Sequence, residues 1–147
     1  MGEAGASRTL NYAGIGGAVA GVISLLGIYS YWWTTETTSY DGVADVSGRL
    51  ALGMSVGLFA FGVAYVLMSD ATIRRVMGAL MTVCAVVLTL ACVWGVLRAD
   101  DVATGATVEL GLWVSVIGGV LGIVASLLAL RDAMAADVGS PPAPGEA

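Results

Sequence analysis

Residues 76–97 read VMGALMTVCAVVLTLACVWGVL, twenty-two positions without one charged side chain. At 1.5 Å per residue such a helix is about 33 Å long, enough to cross a hydrocarbon core of about 30 Å. Its apolar residues are continuous rather than alternating, which opposes a barrel strand. Outward from this run, residues 50–68, 110–130 and 13–33 repeat the pattern, and none carries a charge in its interior. The spacing predicts an all-α membrane protein with four transmembrane helices. Short connections make neighbouring helices antiparallel, as an up-down-up-down four-helix bundle requires. Residues 1–12 then form a short terminal segment, and 13–130 the membrane domain. Residues 131–147, which end in ADVGSPPAPGEA, read as a disordered tail.

Composition points the same way. The 147 residues are 58% hydrophobic and 12% charged, against about 45–50% and about 25% in soluble domains. Too little polar surface remains to coat a water-soluble globule. Net charge is −5, and all six basic residues are arginine. No basic patch exists to neutralise phosphates, so nucleic acid is not an expected partner. The first run follows Arg8 as a signal peptide would, but it is too long and ends in Tyr-Trp-Trp rather than small residues, so it reads as an uncleaved helix.

The arginines set an expected orientation. Arg8, Arg74, Arg75 and Arg131 fall on one side, Arg49 and Arg98 on the other. By the positive-inside rule both termini are cytoplasmic. Trp32, Trp33, Trp94 and Trp113 then gather at the outer ends of helices, with Tyr29 and Tyr31 beside them. Rings of this kind favour the bilayer interface, so these six are expected to form an aromatic belt, with Trp33 facing lipid. The sharper alternative is an outer cluster that grips a lipid or another ligand. Arg49 and Glu109 open the second and fourth helices at one depth and form a candidate outer ion pair.

No Asp, Glu, Lys, Arg or His lies mid-helix to flag a proton or ion path. Cys84 and Cys92, eight positions apart, lie about 12 Å apart along one helix and are out of disulfide reach. Signatures of several four-helix families are missing. The first helix lacks the glutamate of small multidrug exporters, the cysteines lack the Cys-x-x-Cys spacing of vitamin K-type quinone reductases, and the first outer loop lacks the claudin-like Trp-Gly-Leu-Trp-Cys-Cys motif. No catalytic residue, metal ligand or cofactor is expected.

The strongest internal signal is small residues. Gly17 and Gly21, Gly53 and Gly57, and Gly118 and Gly122 each place two glycines four apart on one helix face, the spacing that lets membrane helices approach closely. Residues 49–62 also align without gaps to 109–122, matching Ser55 with Ser115 and Gly62 with Gly122, as a parallel repeat of two hairpins would. The absence of lysine and the acidic loops resemble the style of haloarchaeal proteomes, with a high-GC actinobacterium as the alternative. The expected function is non-enzymatic: an accessory or structural component of a membrane complex, in a cell membrane or in the envelope of a membrane-bounded virus. Its expected partners are membrane lipid and other membrane-protein subunits or further copies of itself. The alternatives are an oligomeric transporter or channel with a hydroxyl-lined path, and a lipid or ligand binder using the outer tryptophans.

Overall fold

The structure, a computed structural model, describes residues 3–102 and 105–138. Four long helices dominate: α1 (Glu3–Ile28), α2 (Val46–Leu67), α3 (Ala71–Leu97) and α5 (Leu110–Val138). A single turn, α4 (Ala99–Val102), follows α3. Strands β1 (Tyr31–Thr34), β2 (Ser39–Asp41) and β3 (Thr107–Val108) form an antiparallel sheet in the order β2-β1-β3. Each long helix packs on two others: α1 and α3 both touch α2 and α5.

The layering inverts that of a soluble protein. Ser24, Ser55, Ser115 and Ser126 are buried, while large apolar side chains on every long helix point outward, among them Leu26, Phe59, Val83 and Leu127. Water would penalise that exterior, whereas hydrocarbon does not. Val46–Leu67, Ala71–Leu97 and Leu110–Ala135 are each long and apolar enough to span a membrane, and α1 contributes a shorter apolar segment, Tyr12–Ile28.

The helix ends depart from the expected ones for local chemical reasons. The second and third helices were expected at 50–68 and 76–97 but begin earlier, at Val46 and Ala71. The Asp45 carboxylate accepts from Ser47 N at 3.0 Å and that of Asp70 from Ile73 N at 3.0 Å, so each aspartate caps a first turn. Arg74 and Arg75 therefore lie in α3, not in a loop. The fourth helix runs past 130 to Val138 on an alanine-rich sequence of good helix formers. The expected tail cannot start at 131, and residues 139–147 lie outside the described residues. The first helix already includes residues 3–12, expected as part of a terminal segment.

The largest correction concerns the first helix, expected to reach Trp33. It stops at Ile28. Ser30 folds back, its Oγ donating to Leu26 O at 2.8 Å and its N to Gly27 O at 3.1 Å. These bonds satisfy carbonyls that a helix end leaves without partners. Tyr31-Trp-Trp-Thr then continues as strand β1, in keeping with the strand preference of aromatic and β-branched residues. The hairpin to β2 is closed by Thr35 and Thr38: Thr35 N donates to Thr38 O at 2.8 Å, and Thr38 N to Thr35 Oγ1 at 3.1 Å. Both long connections, expected as plain loops, thus contribute to one sheet.

Candidate functional site

The sheet closes one end of the helices, and its centre is the pair Trp32 and Trp33. Side chains normally alternate across a strand, yet both indoles are inside. A bulge between Tyr31 and Trp33 breaks the alternation. Trp33 pairs with Tyr40 on β2 and with Val108 on β3, so it occupies the middle of the sheet. The two rings meet edge to face, with centroids 5.5 Å apart and planes at 79°, a favoured aromatic geometry. Trp32 Nε1 donates to Gly27 O at 3.1 Å and Trp33 Nε1 to Gly95 O at 3.2 Å. Gly42 is required beneath Trp32: a Cβ there would stand 2.5 Å from the indole and 2.8 Å from Ile28 O.

The aromatic belt is therefore corrected for two of its six members. Trp32 and Trp33 are 0% and 1% exposed, and Trp33 does not face lipid. Their N–H groups found helix carbonyls in place of headgroups or water, which removes the reason for an indole to sit at an interface. Tyr29, Tyr31, Trp94 and Trp113 remain exposed, the last two about one turn from the sheet-side ends of α3 and α5. Arg49 and Glu109, expected to pair, are each engaged elsewhere: Arg49 Nε donates to Val43 O at 3.1 Å, the Glu109 carboxylate takes a long contact of 3.5 Å from Thr107 Oγ1, and Glu109 N donates to Trp32 O at 2.8 Å. Burial raises the pKa of Asp45, but the bonds from Ser47 Oγ, Ser47 N and Val46 N, with the charge of Arg98, outweigh it and hold the carboxyl below its ordinary value.

The glycine pairs divide. A Cβ on Gly21 would lie 2.7 Å from Phe59 N and 2.8 Å from Ser55 O, backbone atoms that cannot step aside. Gly118 lies as tightly on α1, at 2.8 Å from Ser24 N and 3.0 Å from Ala20 O. Gly17 and Gly122 instead make room for side chains, Met81 and Leu58 respectively, and Gly57 for the Cys84 thiol at 3.0 Å. Gly53 has nothing within 4 Å and meets no other helix of this chain. Unexpected contacts join Gly14 to Gly62 and Gly27 to Gly111. Heptad spacing was the available signal: Gly14 and Gly21 lie seven apart, as do Gly111 and Gly118.

The buried Ser24, Ser55, Ser115 and Ser126 and the half-buried Thr82 and Thr89 are engaged by helix backbone. Ser55, Thr82, Thr89 and Ser115 each donate to the carbonyl four residues back, at 2.8, 3.0, 2.8 and 3.0 Å, and Ser126 to Ile123 O at 2.9 Å. Ser24 and Ser115 also reach one another's carbonyls across α1 and α5, through longer contacts of 3.5 and 3.4 Å. Cys84 and Cys92 are buried free thiols. Among the described residues no group of three or more His, Cys, Asp or Glu is placed to hold a metal ion. Comparison with known protein families, with curated proteins and with solved structures finds no match to this chain.

Proposed function

We propose that this chain is a non-enzymatic multi-pass membrane protein, an accessory or structural component of a membrane complex or envelope. One observation carries the reading: an apolar exterior on all four long helices surrounds an interior whose hydroxyls are committed to backbone carbonyls. Such an interior serves packing, and the exterior is the surface that other helices and lipid would meet. The same hydroxyls were the candidates for a transport path, and their local bonds favour packing over conduction.

The four helices act as an up-down-up-down bundle. Contacts between α1 and α2 run in opposite order, Gly14 against Gly62 and Gly21 against Ser55 and Phe59, as antiparallel neighbours require. Both termini lie in the cytoplasm of a cell and the sheet outside it, in line with the four-to-two division of arginines. The test is isolation from native membranes in mild detergent, followed by identification of what migrates with the chain. Stoichiometric membrane-protein partners support the accessory role. Recovery only as a lone monomer across several detergents overturns it.

A further inference from the structure

A groove of about 500 Å³ runs between α1 and α5 at the end opposite the sheet. Pockets for small molecules commonly measure about 300–1,000 Å³. Its floor is made of small buried residues, Ala13, Ala20 and Ala125. Its walls are exposed apolar side chains, chiefly Val19, Val124 and Leu128. Its polar side chains, Tyr12, Arg131 and Asp132, line one end.

The dimensions select the occupant. From Leu121 at the apolar end to Arg131 at the polar end, α5 advances about 15 Å, half of a hydrocarbon core of about 30 Å. The groove is therefore one leaflet deep, apolar along its length and polar only where that leaflet meets water. A partner helix would continue across the whole membrane and has no use for a polar terminus at one end. A lipid has this form, with a headgroup at the interface and a chain directed inward. We propose that the groove holds one acyl chain of a membrane phospholipid, with the lipid phosphate at Arg131 and Tyr12. The guanidinium suits a phosphate by charge and geometry. Asp132 opposes additional negative charge and accepts from a headgroup hydroxyl, so a glycerol-bearing phosphate fits better than a bare one. The inference needs the chain to lie in a membrane but is independent of the accessory role.

The test uses full-length protein in nanodiscs of phosphatidylglycerol containing a phosphatidylglycerol probe with a mid-chain diazirine. Photolabel is expected on peptides carrying Val19, Val124 and Leu128. Val124→Trp blocks the groove from an exposed position and should lower the yield by at least about fivefold, equal to about 1 kcal/mol. Val83→Trp, an exposed change on α3 away from the groove, should leave both yield and melting temperature unchanged. Arg131→Gln should reduce the phosphatidylglycerol retained in native mass spectra, and a phosphatidic acid probe should label more weakly than the phosphatidylglycerol one. Equal labelling of all exposed faces, or equal yields from the two tryptophan variants, overturns the proposal. Disulfide-linked dimers of Val124→Cys with no drop in labelling for Val124→Trp would give the groove to a second copy and overturn it as well.

Discussion

Trp33 shows how one side chain changes the meaning of a segment. As an interface residue it would tolerate any amphipathic ring. As the centre of a sheet, with its N–H on Gly95 O, it should not. Trp33→Phe leaves that carbonyl without its donor and should cost about 1–3 kcal/mol. Trp33→Ala should cost about 3–5 kcal/mol through the cavity as well. Trp113→Phe, on an exposed ring, should be near neutral. Thermal melting in nanodiscs ranks the three, and equal losses at Trp33 and Trp113 would contradict the burial. A double-mutant cycle on Trp32 and Trp33 should show coupling of about 0.5–1.5 kcal/mol from the edge-to-face pair, and one on Trp33 and Trp113 none. Asp45 supplies a second test at this scale. Its carboxyl titrates lower folded than at its ordinary value of 3.8. Its stabilising contribution is therefore complete above that value and lost as pH falls through the lower folded one. The melting-temperature gap between the parent and Asp45→Asn should hold steady from neutrality to about pH 5 and close below about pH 4.

Between helices, the cost of filling a glycine depends on what stands opposite. Gly21→Ala drives a methyl group into the backbone of α2 and should lose about 1–3 kcal/mol. Gly57→Ala meets side chains, the Cys84 thiol and the Phe61 ring, and should lose less. Gly53→Ala meets nothing and should gain helix propensity, up to about 1 kcal/mol. Melting curves in one detergent for the three alanine variants test this order, and destabilisation by Gly53→Ala would show that position to be a contact. These differences mark what the sequence could and could not express. Four charge-free runs of bilayer length were legible because hydrocarbon thickness sets the length of a helix. The glycine pairs showed that faces were small, not what lay across from them. The sheet was hidden for another reason. The bulge beside Trp33 removes the alternation that announces a strand, and β3 lies more than seventy residues beyond β1, outside any local pattern.

For the whole molecule, the test is which side of the membrane each end meets. In a cysteine-free background, Cys introduced at the exposed Ser39 of the sheet should react with an impermeant maleimide added to intact cells. Cys introduced at Ser69, in the exposed turn between α2 and α3, should react only after the cells are opened. The reverse pattern would invert the proposed orientation. Matched residues of the expected two-hairpin repeat divide. Gly62 lies against Gly14 and Ala18 of α1, and Gly122 against Ala85 of α3, as two equivalent hairpins require. Ser55 and Ser115 make the same bond to the carbonyl four residues back, but both lie against α1, at Gly21 and Gly27 respectively. The groove beside Arg131 was not legible either, because it is shared by helices from opposite ends of the chain.

The bond from Trp33 to Gly95 spans 62 residues, and this has a bearing on biosynthesis. At about 5–20 residues per second, the ribosome takes about 3–12 s after making Trp33 to supply its acceptor, and longer to supply β3. Through that interval the first hairpin waits with β1 unpaired on its β3 side and the Trp33 indole without its acceptor. The nascent chain is therefore most exposed to misassociation while α2 and α3 are being inserted, and the sheet acts as a latch that closes only once the last helix has begun to emerge.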